Sequence, residues 1–219
     1  MLVFDAHLDM AWNALDWNRN LLWPVEHIRQ HEKSHSMTSK GRGCNTVSFV
    51  EMRRGQVGVC IATLLARLFR PDLIPAIQRY EHMEAAHAAA YGQLHYYRSL
   101  EKQGILRWIK DAKTLRDHVE KWSASTVSED EPLGFILSME GADPILSPDE
   151  VEEWFQAGLR IVGPAHYGVS PYAHGTGTEG GLFERGPDFL REMERVGMIL
   201  DVTHLSDQCF DEALEIYGG

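Results

Sequence analysis

The chain alternates short, nearly uninterrupted apolar runs with longer stretches in which apolar residues recur at helical spacing. The short runs are Leu2 to His7, Val57 to Leu65, Ile105 to Ile109, Gly134 to Met139, Leu159 to Pro164 and Gly197 to Val202. They are rich in Val, Ile and Leu and too short for helices. Such runs suit strands covered on both faces, as in parallel sheets. Between them, Pro75 to Glu101 predicts a long Ala-rich helix with a proline at its start, where helix N-termini accept one. Thr114 to Trp122, Pro187 to Val196 and Ser206 to Ile216 predict shorter helices. Ser147-Pro148-Asp149-Glu150 opens another, with Ser147 as N-cap, Pro148 in the first position and Glu150 completing a capping box; Gly158 ends it. This alternation is the pattern of an α/β protein built on a parallel sheet. Segments 123–132 and 168–186 read as loops.

Composition bounds the picture further. With 219 residues, the chain is expected to form a single domain, 1–219, with a sizeable core. Its apolar share of 44% and charged share of 24% are ordinary for a globular protein. A net charge of −11 argues against nucleic-acid binding, which normally shows as a basic patch, and fits an enzyme with small-molecule substrates. Cys44, Cys60 and Cys209 form no CxxC pair and no disulfide framework, which suggests a cytoplasmic setting. Cys60 reads as core. The N-terminus lacks the pattern of a signal peptide, and no apolar stretch is long enough to predict a membrane segment.

The candidate chemistry sits at the ends of the expected strands. His7 and Asp9 follow the first, Glu140 ends the fourth, His166 follows the fifth and His204 the sixth. In a parallel barrel these ends share one face, and that face carries the active site. His7 and Asp9 are two apart, so both point to one side of a strand and can reach one metal ion. Imidazole with carboxylate suits zinc or a similar ion; the same pair at a strand end also fits a simple hydrogen bond. Glu140 has two oxygens with which to bridge two metals, or it is a cap. Asp201 is a candidate for orienting a ligand, or it faces a helix. His166 offers an imidazole for substrate, or is structural. His27, His31 and His35 recur every four residues in a polar stretch that reads as solvated, and His82, His87 and His95 lie on the long helix. Gly175 to Gly181 lacks the Gly-Lys-Ser/Thr ending of a phosphate loop and reads as a flexible lid. No Gly-x-Ser-x-Gly nucleophile elbow is present.

In this order the motifs resemble those of the membrane (renal) dipeptidase family, peptidase family M19. The matching segments are Phe4-Asp5-Ala6-His7-Leu8-Asp9, Ser138-Met139-Glu140-Gly141-Ala142, Gly158-Leu159-Arg160 through His166, and Glu194-Arg195-Val196-Gly197-Met198 running into Asp201-Val202-Thr203-His204-Leu205-Ser206-Asp207. The resemblance implies a (β/α)8, TIM-barrel-like metallohydrolase with a binuclear zinc site. His7 and Asp9 would hold the first zinc, Glu140 would bridge both, His204 would hold the second, and His166 would contact substrate or the tetrahedral intermediate. Glu140 and His166 would then be the catalytic residues. The implied reaction is hydrolysis of a dipeptide, often with a D-residue at its C-terminal position, by a metal-activated hydroxide.

The family also places a further zinc histidine, a substrate-gripping arginine and a late aspartate beyond the position of His204, whereas this sequence ends at Gly219. It is expected to stop after about six strands of the barrel, as a truncated product or with the missing strands supplied from elsewhere. An open barrel would leave strand edges unpaired, so instability or pairing with another copy as a homo-oligomer is expected. Two other readings remain. One is a related amidohydrolase, although those barrels usually carry His-x-His on the first strand where this chain has His7-Leu8-Asp9. The other is a catalytically inactive metal-binding fragment.

Overall fold

The computed structural model describes residues 1–34, 41–68, 79–124 and 131–219. They form two compact units, one of residues 1–62 and 95–136, the other of residues 63–94 and 137–219.

The first unit contains β1 (Val3–Leu8), α1 (Met10–Leu15), α2 (Val25–Ser34), α3 (Phe49–Arg54) and most of β2 (Val57–Leu64). It continues with the end of α4 (Met83–Lys102), β5 (Leu106–Trp108), α5 (Ala112–Trp122) and the start of β6 (Leu133–Glu140). β1 pairs with β2, and β5 with β6, all parallel. The runs of β2, β5 and β6 are buried as expected, through Val59, Cys60, Ala62, Leu106, Trp108, Leu133 and Phe135, whereas β1 buries no residue fully and leaves Phe4 53% exposed. Tyr97 of α4 is fully buried and stacks on Phe135 at 5.2 Å, while its hydroxyl accepts the Ala11 N–H at 3.1 Å. Each such ring contributes roughly 1.5–3 kcal/mol by leaving water.

The polar stretch around His27 and His31 is solvated on one side only, where His27 is exposed. It forms α2, with Ile28 and Glu32 buried. His27 stacks on Trp23 at 4.4 Å and His31 meets the same ring edge-on at 5.4 Å; His35 lies outside the described residues. Glu32 is tolerated in the interior because Arg19 Nε and Arg42 Nη1 each reach Oε1 at 2.8 Å and the Gly43 N–H donates to Oε2 at 2.6 Å. Burial alone would raise the Glu32 pKa, but these bonds outweigh it and hold the carboxyl at about 2.

The second unit contains the end of β2, a short parallel pair β3 (Arg67–Leu68) and β4 (Arg79–Tyr80), the start of α4, and the end of β6. A 3-10 turn at Pro148–Glu150 leads into α6 (Val151–Ala157), followed by β7 (Leu159–Gly163), α7 (Gly186–Val196), β8 (Ile199–Leu200) and α8 (Asp207–Ile216). β6 pairs with β7 and β7 with β8, again parallel, so Glu140 lies beside Gly163 and Val162 beside Leu200. Helix α7 buries Phe189, Leu190 and Met193, and Phe189 stacks on Tyr172 at 4.2 Å.

Several local expectations need adjustment. The long helix begins only at Met83, since Arg79–Tyr80 form β4 and a bend follows, while Pro75 lies outside the described residues. Ser147 is an N-cap without a side-chain cap bond, and Glu150 Oε2 accepts the Leu146 N–H at 3.0 Å, so the capping box is displaced by one residue. Gly158 closes α6 in the left-handed conformation at φ 114°, as expected for a helix C-terminus.

The chain is an α/β protein with a parallel sheet, and six strands (β1, β2, β5, β6, β7 and β8) join it among the described residues. No helix among them is long and apolar enough to cross a membrane. Cys44 is exposed, Cys60 and Cys209 are buried, and all three are free thiols.

Gly58 sits where a Cβ would lie 2.5 Å from both Leu2 Cδ1 and Trp122 Cδ2. Gly58→Ala is expected to cost about 1–3 kcal/mol, the usual cost of overpacking. Urea denaturation measures it, and an unchanged midpoint would contradict this packing.

Candidate metal and catalytic site

The parallel register of β6, β7 and β8 decides which side chains meet in the second unit. Glu140 is the last residue of β6, His166 follows β7 by three residues, and His204 follows β8 by four. Their ligand atoms lie within 4.8 Å of one another. Glu140 Oε1 is 3.3 Å from His166 Nε2 and also 3.3 Å from His204 Nε2. The two imidazoles stand nearly perpendicular, at 79°, with centroids 4.4 Å apart. Two imidazoles and a carboxylate converging on one point are a donor set suited to zinc.

Each histidine is also held from its other nitrogen. Arg67 Nη1 approaches His166 Nδ1 at 2.6 Å, and the Thr176 hydroxyl lies 2.9 Å from His204 Nδ1. Tyr167 adds an aromatic wall, 4.9 Å from the His166 ring and 5.2 Å from the His204 ring. Asp201 does not orient His204 by a hydrogen bond: its Oδ1 accepts the N–H and hydroxyl of Thr203 and shapes the turn that follows β8.

The backbone around the site is tightly specified. Gly141 leaves β6 at φ 85°, a conformation favourable only for glycine, and a Cβ there would lie 3.3 Å from that of His166. The glycine-rich segment is pinned rather than lid-like. The Thr176 N–H donates to His166 O at 2.9 Å, the Gly168 N–H to Thr176 O at 2.9 Å, and the Ser206 N–H to His174 O at 3.1 Å. Gly175 packs so closely that a Cβ would fall 2.0 Å from His166 O.

In the first unit, His7 Nε2 lies 3.6 Å from Asp9 Oδ1. The His7 N–H is tied to Asp5 Oδ1 at 3.0 Å. Asp9 precedes α1, yet its side chain makes no cap bond to that helix. Arg67 and Thr176, which touch His166 and His204, carry no signal in the sequence. Arg67 lies in a two-residue strand with no periodic signal, and Thr176 stands in a segment whose glycines read only as flexibility.

Burial, and secondly the neighbouring His166, lower the His204 pKa below its ordinary 6.5; the Glu140 carboxylate opposes them. Burial likewise lowers that of His118. A depressed histidine pKa means that the unfolded chain binds more protons just below pH 6.5, so stability falls as pH drops through that range. The metal-free chain should therefore lose stability on acidification below about pH 6.5, and His204→Gln should flatten part of that slope. Denaturation midpoints across pH check this; identical slopes would contradict it.

A family model, Membrane dipeptidase (Peptidase family M19), matches residues 1–217. Among curated relatives, an uncharacterised dipeptidase of Schizosaccharomyces pombe is 31% identical over 86 residues, covering 37% of this chain and 21% of that protein. A 93-residue match at 30% identity to an uncharacterised protein of Acinetobacter calcoaceticus covers 38% of this chain and 30% of that protein. Among solved structures, a metallopeptidase from Rhodobacter sphaeroides, liganded with a phosphinate mimic of the dipeptide L-Ala-D-Ala, superposes with a TM-score of 0.71 at 20% identity. It is matched over 99% of this chain and 62% of its own. A dipeptidase AC structure of family M19 gives a TM-score of 0.70 at 21% identity, over 99% of this chain and 60% of its own. The chain thus spans about three fifths of these structures, whose fold it shares. The family-model match over nearly its whole length, together with the strand-end His, Glu and Asp residues, shows that the chain belongs to the membrane dipeptidase family, peptidase family M19.

Proposed function

We propose that this chain carries the catalytic centre of a zinc-dependent dipeptidase, with two ions in the complete site. The observation that carries the reading is the convergence of His166 Nε2 and His204 Nε2 on one Glu140 oxygen at 3.3 Å. By resemblance to the family, His7 and Asp9 would hold one zinc, His204 the other, and Glu140 would serve both. The neighbour from Rhodobacter sphaeroides, bound to an L-Ala-D-Ala mimic, supports dipeptides with a C-terminal D-residue as the substrate class to test. When bound, zinc supplies a hydroxide at neutral pH and a Lewis acid for the scissile carbonyl.

The chain's own residues do the rest. His166 is buried and hydrogen-bonds the oxygen that gains charge as the carbonyl becomes tetrahedral. A donor already held in place when charge develops there is worth roughly 3–4 kcal/mol. Tyr167 packs 4.9 Å from the His166 ring and 5.2 Å from the His204 ring. The lowered His204 pKa keeps that ring uncharged at neutral pH, as a metal ligand must be.

Zinc-loaded chain, offered a panel of dipeptides that includes L-Ala-D-Ala, is expected to hydrolyse at least one. His7→Ala and His204→Ala should each lower kcat/KM by more than about 100-fold, beyond the 10–100-fold typical of losing an outer partner. Zinc binding without turnover on any dipeptide would overturn the dipeptidase reading and favour a metal-binding chain that is catalytically silent.

A further inference from the structure

Two chemically identical side chains, His166 and His204, present the same nitrogen to the same carboxylate oxygen at the same distance of 3.3 Å. Nothing in that contact makes one a metal ligand and the other a hydrogen-bond donor. The distinction lies on the far side of each ring. We propose that Arg67 and Thr176 are positioning residues that hold His166 and His204 in opposite tautomers, so that His166 presents an N–H and His204 a lone pair.

A guanidinium has N–H donors and no acceptor. Arg67 Nη1 stands 2.6 Å from His166 Nδ1, so that nitrogen must offer its lone pair. The ring proton is then on Nε2, facing Glu140 Oε1. An imidazole so arranged has no lone pair left for a metal but can donate to an oxyanion. The contact is shielded from competing water: Arg67 is 4% exposed and His166 8%.

For His204 the logic reverses. The Thr176 hydroxyl has one proton and two neighbours on that residue, Nδ1 at 2.9 Å and the backbone carbonyl oxygen at 3.4 Å. A carbonyl only accepts, so the hydroxyl proton goes there and Oγ1 receives the Nδ1–H. His204 Nε2 is left with its lone pair directed at a carboxylate oxygen 3.3 Å away. Two acceptors facing each other repel unless a cation lies between them. The His204–Glu140 side of the site is therefore the cation side, and the His166 side is not.

The backbone keeps the two positioning residues in place. Thr176 is anchored to His166 itself through its N–H to His166 O at 2.9 Å, next to a glycine that leaves no room for a Cβ. Arg67 is held in β3, where the Leu68 N–H donates to the buried Asp143 Oδ1 at 3.3 Å. Only the functional consequence, that His166 serves the substrate, rests on the dipeptidase reading. The tautomers themselves do not.

Long-range ¹⁵N–¹H NMR of the zinc-loaded chain tests the inference directly, with the rings assigned through His166→Gln and His204→Gln. The expected result is a protonated Nε2 on His166 and a protonated Nδ1 on His204. The same tautomer on both rings, or the reverse pair, would overturn the proposal, and this readout needs no variant at Arg67. Arg67→Met should move the His166 proton to Nδ1 in a large share of molecules and leave the zinc dissociation constant unchanged. Arg67→Lys, which restores a donor, should return the proton to Nε2. Thr176→Val should instead weaken zinc binding by about 10–100-fold. Loss of zinc affinity in Arg67→Met but not in Thr176→Val would reverse the two roles and sink the assignment. Correct tautomers with no dipeptide turnover would overturn the dipeptidase reading alone; turnover with reversed tautomers would overturn this inference alone.

Discussion

The candidate site of the second unit depends on one contact, the sharing of Glu140 Oε1 between two imidazoles at 3.3 Å each. That contact exists only because three parallel strands end together. Register places Glu140 beside Gly163 and Val162 beside Leu200. The chain then needs three residues past β7 and four past β8 to bring a histidine to the same point. Slipping the pairing by one residue would turn the Glu140 side chain to the other face of the sheet. The hydrophobic packing of Leu137, Met139 and Val162, all buried, is thus what aims the carboxylate.

Past the strand ends the backbone is fixed by close approach rather than by regular structure. Gly141 turns the chain out of β6 with positive φ, and Gly175 lies against the His166 carbonyl with no space for a side chain. Side chains that act in such sites need supports that are themselves locked, since small displacements of a catalytic group cost large factors in rate. Here the supports are hydrogen bonds to the far nitrogens of both rings, and nearby in sequence Tyr172 stacks on Phe189. Tyr172 additionally donates its hydroxyl to Ile145 O at 2.6 Å.

The strands and the residues at their ends were legible in the sequence because each is a short apolar run, covered on both faces in β2, β6 and β7, and a polar residue closing it stands out. His7, Glu140, His166 and His204 stood out as candidates that way, and the structure brings the last three together. Features without a periodic signature were not. The α2 helix carries so many charges that it resembles a solvated segment, and its buried Glu32 makes sense only once Arg19 and Arg42, 13 and 10 residues away, are seen to pair with it. Thr176 and Arg67 are separated from their histidines by 28 and 99 residues, and neither sits at the end of a long apolar run. Asp201, which its position made a candidate partner for a ligand, is used by the adjacent Thr203 instead.

In the proposed site Glu140 and His204 form the cation side and His166 lies off it. Anomalous X-ray diffraction at the zinc edge on crystals of the zinc-loaded chain tests it most directly. The account predicts a peak at about 2.0–2.2 Å from His204 Nε2 and from a Glu140 oxygen, with His166 Nε2 outside bonding distance. A peak bonded to His166 Nε2, or none at Glu140 and His204 in crystals containing zinc, would contradict it.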